Sequence, residues 1–331
     1  MSKAAFYPLL FKPIYQYRLW GGRRLTNLLT EPLPEGPVGE AWILSDRDDH
    51  ASTVTEGELK GQTLTKLLKQ HPKEMMGKFA GKFDRFPLLL KFLDAKEVLS
   101  VQVHPSDDQK KYIPKGDMGK TEAWVVLETG AKSLIYSGLT KGTTEAVLRK
   151  SLDEHKVAER LHSFTPKVGD GVFIHSGTVH TLADVVVFEV QENSDTTYRL
   201  YDWDRVDAKT GKPRQLDIDK AIACIDFNLV DIGPVKPHNK TIDAVVHEQL
   251  FNNEHFILWR IQTVLKFKTG AINEPRILVC AEGAGEVQYN NVSYPIKKGD
   301  VMLLPAEVGV VDFLPVGKIN VFEIAIPQTK N

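Results

Sequence analysis

Nine short runs rich in valine and isoleucine punctuate this chain, at residues 98–104, 123–127, 133–136, 171–174, 185–191, 276–281, 287–289, 301–304 and 321–326. Glycine, proline and asparagine separate them, which is the punctuation of turns between strands. The runs do not alternate with long helical segments, so a doubly wound parallel sheet is disfavoured against antiparallel barrels or sandwiches carrying helices. The expected fold class is all-β with helical additions. Helical spacing is confined to two stretches, about 60–85 and 144–163. In the first, Leu64, Leu67, Leu68, Met75, Met76 and Phe79 recur around a break at Pro72. In the second, Val147, Leu148, Leu152, Val157 and Leu161 follow Thr143 or Thr144, either of which offers a helix cap.

An internal echo refines this reading. Val168-Gly169-Asp170-Gly171-Val172-Phe173-Ile174 is matched 130 residues later by Lys298-Gly299-Asp300-Val301-Met302-Leu303-Leu304. Each is a Gly-Asp turn feeding a four-residue apolar strand, which suggests two related antiparallel barrels. With 331 residues the chain is long enough for two ordinary domains. Its 42 basic and 43 acidic residues leave a net charge of −1, which excludes a strong general field for nucleic acid or an anionic membrane. The proline- and lysine-broken N-terminus lacks the layout of a signal peptide, and no apolar run approaches the ~18 residues of a membrane span. A cytoplasmic location is therefore expected. Cys224 and Cys280, each flanked by apolar residues, read as buried free thiols.

Three segments carry polar side chains where a core strand should be apolar. In Ser100-Val101-Gln102-Val103-His104-Pro105, a period of two puts Ser100, Gln102 and His104 on one face and Leu99, Val101 and Val103 on the other. Pro105 ends the pairing and leaves the histidine near a strand end. In Gly119-Lys120-Thr121-Glu122-Ala123-Trp124, Lys120 and Glu122 share a face; alone they read equally well as a surface ion pair. In His175-Ser176-Gly177-Thr178-Val179-His180, two histidines flank a glycine turn. A barrel can bring Gln102, His104, Glu122 and His180 to one point. Two imidazoles, a carboxylate and an amide oxygen suit zinc, and two histidines with one carboxylate equally match a non-haem iron triad.

A fourth segment, running from Phe188-Glu189-Val190-Gln191-Glu192 through Asn193-Ser194-Asp195-Thr196-Thr197-Tyr198-Arg199 to Arg205, crowds polar and aromatic residues after a core-like strand. An arginine between two tyrosines is suited to a phosphate or enediolate oxygen, because its planar fork donates two bonds. The plainer alternative is a solvated loop braced by Arg/Asp pairs.

In this order, the four segments resemble the type I phosphomannose isomerases of the cupin superfamily. Lys12-Pro13, Tyr17-Arg18-Leu19-Trp20-Gly21-Gly22 and Gly39-Glu40-Ala41-Trp42 extend the resemblance, which runs from about residue 10 to 205 and is most similar to the shorter bacterial branch. The resemblance implies a bicupin of two jelly-roll barrels: a catalytic one over 1–235 and one without a metal site over 236–331. It implies one zinc ion per chain on Gln102, His104, Glu122 and His180, with Arg199 as an active-site residue and Lys120, Glu189 and Asp195 near the substrate. The expected reaction interconverts mannose 6-phosphate and fructose 6-phosphate through an enediol. Ser100, Lys120, Arg199 and Arg205 are the candidates for holding phosphate. Rival readings are a cupin iron oxygenase and a non-catalytic sugar-binding bicupin. A sugar phosphate is the expected partner, with neither nucleic acid nor membrane; oligomeric state is left open. Aligned on Gly-Asp, Pro305 stands opposite His175 and Val310 opposite His180, so a second metal is not expected.

Overall fold

A computed structural model describes residues 6–207 and 210–328, and its strands are predominantly antiparallel. Two nine-stranded sheets dominate it. The first has the order Tyr198–Tyr201, Val101–Val103, His180–Glu192, Leu88–Ala95, Glu40–Leu44, Ile14–Gln16, with Glu122–Leu139 pairing to His180–Glu192, Leu161–Phe164 and Gly171–Ile174. The second joins Val301–Leu304, Arg276–Tyr289, Val310–Ala325, Ile257–Thr263, Val245–Asn252 and His238–Ile242, and takes Leu9–Leu10 from the start of the chain as its far edge. One apolar core runs between the sheets: Phe92 and Phe188 from the first pack in the same cluster as Phe256, Ile277 and Phe322 from the second. Phe188 stacks on Phe322 with ring centroids 5.1 Å apart.

The strand runs read from the sequence are present, though that at 98–104 shortens to Val101–Val103 and several others are pieces of longer strands. Residues 123–127 and 133–136 belong to the single strand Glu122–Leu139, which passes through irregularities at Val126/Glu128 and Thr129/Leu134. Residues 276–281 and 287–289 likewise merge into Arg276–Tyr289. Leu64–Gln70 starts where the Thr63 hydroxyl accepts from Lys66 N–H, and Pro72 opens the next helix, Pro72–Met76. Glu145–Asp153 is capped by Thr144 rather than Thr143, and the second helix expected up to residue 163 is a single 3-10 turn, Val157–Arg160, after which Leu161–Phe164 is a strand. A further helix, Ile218–Cys224, was not anticipated. No helix among the described residues is long and apolar enough to cross a membrane. Cys224 and Cys280 are free and buried, and burial pushes their thiols up to about 11 and about 12.

The echo is a matched pair of turns. Gly169 and Gly299 have φ of 92° and 89°, a region that glycine enters without penalty. In the first turn Asp170 Oδ2 accepts Lys167 N–H at 2.8 Å; in the second Asp300 Oδ2 accepts Lys297 N–H at 2.9 Å. Val126 N–H donates to Asp170 O as Cys280 N–H donates to Asp300 O. The strands that follow keep the same register. Ile174 faces Glu122 and Leu304 faces Arg276, so Arg276 occupies in the second sheet the place that Glu122 holds in the first.

Candidate active site

Three neighbouring strands assemble the metal-ligand candidates. Gln102 pairs with both His180 and Arg199 across the sheet, and Glu122 lies opposite Gln191. His104, Glu122 and His180 are fully buried, and their donor atoms lie within 4.8 Å of one another. Glu122 Oε2 is 3.5 Å from His104 Nε2, and its Oε1 is 3.3 Å from His180 Nε2. Backbone carbonyls set both rings: Nδ1 of His104 donates to Thr196 O and Nδ1 of His180 to Thr178 O, each at 2.9 Å. A carbonyl can only accept, so each ring carries its proton on Nδ1 and turns the Nε2 lone pair toward Glu122. Gln102 sets its amide nitrogen 3.1 Å from His180 Nε2; half a turn of the amide presents the oxygen instead. His175, the other histidine of its segment, is exposed and packs on Phe173.

This donor set fits a divalent cation. Neither buried oxygen of Glu122 has a hydrogen-bond partner, although Lys120 Nζ stands 2.7 Å from Oε2 in a poorly directed ion pair. Burial pushes His104 down to about 3, with the Lys120 charge adding to it, so the imidazole is neutral; its Nε2, 3.2 Å from Lys120 Nζ, can ligate once that contact is given up. The carboxyl of Glu122 is driven the other way: burial opposes its charge, but the Lys120 cation holds it well below the ordinary range. Lys120 is likewise held above its usual value, Glu122 and Glu189 outweighing burial, and remains a cation.

Gln102 and Lys120 line a cavity of about 410 Å³ whose wall also holds Arg18, Glu40, Lys91, Trp124, Glu189, Asp195, Arg199 and Arg214. Glu189 is buried, accepts Trp124 Nε1–H at 2.8 Å and lies 3.4 Å from Lys91 Nζ; burial, then Glu122, raises its carboxyl. Arg199 makes no ion pair among the described residues, and its Nε is buried without a partner. Asp195 is exposed at the rim. Ser100 and Arg205 do not line the cavity. Ser100 is buried with its hydroxyl 3.4 Å from Gln102 Oε1, and Arg205 is held by the Asp202 carboxylate at 2.5 Å and by Val98 O. The loop after His180–Glu192 is no solvated brace. Asn193 donates to Phe86 O at 2.8 Å, Ser194 to Met118 O at 2.9 Å and Thr196 to Asp117 Oδ2 at 2.9 Å, which pins the carbonyl that orients His104.

A sequence profile of the catalytic domain of type I phosphomannose isomerases matches residues 9–123. Over 306 residues the chain is 36% identical to the mannose-6-phosphate isomerase ManA of Bacillus subtilis, covering 91% of this chain and 94% of that protein. It belongs to the type I phosphomannose isomerase family. The Streptococcus mutans mannose-6-phosphate isomerase is 33% identical, covering 90% of this chain and 92% of that protein. The crystal structure of the Bacillus subtilis enzyme superposes with a TM-score of 0.88 at 30% identity, over 96% of this chain and 99% of that one. A phosphomannose isomerase from Salmonella typhimurium, 17% identical, shares the fold at a TM-score of 0.71 over 96% of this chain and 99% of that one.

Against that family frame, the residues missed from sequence form one buried network. Arg18 grips Glu40 through Nε at 3.0 Å and Nη2 at 3.1 Å, Trp42 Nε1–H donates to Glu40 at 2.7 Å, and Lys91 stands between Glu40 and Glu189. One signal was available. Lys91 sits inside the apolar run Leu88-Leu89-Leu90-Lys91-Phe92-Leu93, where an unpaired lysine is too costly to bury.

Proposed function

We propose that the chain is a zinc-dependent aldose–ketose isomerase interconverting mannose 6-phosphate and fructose 6-phosphate through a cis-enediol. The observation that carries this is the convergence of Gln102, His104, Glu122 and His180 directly behind a cavity that also presents an unpaired arginine, Arg199. These four residues would hold one zinc ion per chain, which would supply Lewis-acid polarisation of the sugar's carbonyl and hydroxyl oxygens. The reaction removes the proton from C2, forms the enediol and returns a proton to C1, so no electron acceptor is needed. Glu189 is the base: it lines the cavity, and burial beside Glu122 raises its carboxyl toward the pH at which it exchanges protons. Arg199 meets the oxyanion with a permanent charge. Lys120 stays cationic and balances Glu122 and the intermediate. Of the four phosphate candidates, Lys120 and Arg199 line the cavity, while Ser100 and Arg205 do not.

The two sheets fit a bicupin in which the catalytic unit spans 1–235 and the second 236–331, the paired Gly-Asp turns being its repeated element. The test of function is conversion of mannose 6-phosphate by chelated and by zinc-restored protein. Activity restored by zinc without dioxygen supports the reading; no conversion by fully zinc-loaded protein overturns it.

A further inference from the structure

Away from the Glu122 centre, a second cluster joins the two sheets. Asp107, Glu192 and His255 bring their donor atoms within 4.8 Å of one another. Asp107 accepts Gly119 N–H at 2.8 Å. Glu192, the last residue of His180–Glu192, accepts Thr121 N–H through Oε2 at 2.7 Å and donates its own N–H to Thr121 O at 3.1 Å. The two carboxylates thus hold the N–H groups of the residues on either side of Lys120, whose own N–H is bound to Pro105 O. His255 comes from the other half of the chain. It stands on the turn between Val245–Asn252 and Ile257–Thr263, tied by Asn253 Oδ1, which accepts from His255 N–H at 2.8 Å and Phe256 N–H at 3.1 Å. From there Nδ1 reaches to 3.1 Å from Glu192 Oε1. Each acid has an oxygen committed to a backbone N–H, and the histidine is paired with Glu192, so the cluster works as a clamp in which one imidazole stands among carboxylates from both halves of the chain.

We infer that His255 is a positioning residue of the active site: its ring fixes Glu192, and through Glu192 the segment 119–122 that carries Lys120 and Glu122. The inference rests on the isomerase reading above. Three carboxylates face the ring, Glu192 from the neighbouring sheet, Asp107 from the loop after Val101–Val103 and Glu254 from its own turn, together with one other titratable group, His175. Burial would lower His255, but Glu192, Glu254 and Asp107 raise it above its ordinary 6.5. The cationic clamp is therefore complete below pH 6.5 and is lost as pH rises through the raised value. Without supplying a metal ligand, the second sheet then bears on catalysis by holding this turn.

The experiment follows kcat and KM for mannose 6-phosphate from pH 6 to 10 in zinc-loaded protein, with amide exchange of segment 119–122. His255→Gln should lower kcat about tenfold at pH 7, leave KM within about twofold and zinc content unchanged, and abolish the alkaline decline, because a 1 Å error in placing reacting groups costs up to about a hundredfold. His255→Lys, a cation throughout, should restore kcat and hold it at alkaline pH. Exchange in segment 119–122 should quicken in His255→Gln. Asn253→Ala, which loosens the turn but keeps the ring, should keep the alkaline decline. A His255→Gln variant with the parent's pH profile and unchanged exchange overturns the inference. If the parent does not convert mannose 6-phosphate, the isomerase reading fails, and the exchange measurement still decides whether His255 holds the segment.

Discussion

Arg199→Ala should cut kcat by about a hundredfold while leaving zinc content normal. In the structure this guanidinium lines the cavity next to Gln102 in register, has a buried Nε without a partner, and is pushed down by burial and by Arg214. A unit charge about 4 Å from a developing oxyanion is worth ~4 kcal/mol at an effective dielectric of ~20. Arg199 is part-exposed, and solvent screening reduces this to about 3 kcal/mol, or roughly a hundredfold in rate. That charge interacts mainly with the intermediate, so KM should move less than about threefold. Arg199→Lys should rescue little, because a point charge does not reproduce the planar fork. The same substitution should not destabilise the metal-free protein: removing a cation that faces Arg214 without an acid partner should leave Tm unchanged or raise it by about 2 °C. Steady-state kinetics and thermal melts test both halves. A normal kcat with a raised KM makes Arg199 a binding residue and moves oxyanion stabilisation to Lys120; a large fall in Tm makes it a structural cation.

The remaining expectations concern the metal and the buried network. His104→Ala, Glu122→Ala and His180→Ala should each lose most bound zinc by elemental analysis, since three ligands leave the fourth position to water; full zinc retention removes that residue from the ligand set. The native protein should hold about one zinc per chain, because Arg276 stands in register where Glu122 does in the first sheet and Val310 falls opposite His180 when the two Gly-Asp turns are aligned; two tightly bound ions contradict this. Burial opposes the charge of Glu40, but Lys91 and Arg18 hold its carboxyl at about 2. Its stabilisation is present above the ordinary 4.5 and disappears as pH falls through about 2, so Glu40→Gln should lose about 3 kcal/mol in urea unfolding at pH 7, with the gap closing in that acid window. A pH-independent gap refutes the ion-pair account.

Strand identity was legible because it depends on local pattern. Gly171–Ile174 and Val301–Leu304 match their expected bounds, and Gln102 and His104 reach the site from the polar face assigned to them. Strand length was less legible, since Glu128, Thr129 and Gly130 look like a turn but lie in an irregular stretch, after which Glu122–Leu139 resumes pairing with the same strand, His180–Glu192. The helix Ile218–Cys224 is only seven residues long, too short for a clear helical period, and although Asp217 stands at its N-cap position, that side chain makes no capping bond. Arg18, Glu40, Lys91 and Glu189 come from well-separated stretches, and no local pattern joins residues paired only across the sheet.

The repeated turn shows why fold and chemistry separate in this chain. Gly169-Asp170 and Gly299-Asp300 make the same hydrogen bonds because those bonds use a left-handed glycine and one carboxylate, which a short motif specifies completely. Metal binding needs more: side chains of the right kind on three strands, in register, with ring nitrogens oriented by distant carbonyls such as Thr196 O. The second sheet keeps the turn and the register, yet puts a cation, Arg276, where the first has Glu122. There it pairs with Glu274 at 2.9 Å and lies 3.6 Å from the buried Glu323. Such a repeat is evidence for shared local architecture; whether an ion can be held depends on the residues on the inward face of each copy, and of the two positions in register only Glu122 offers a ligand atom.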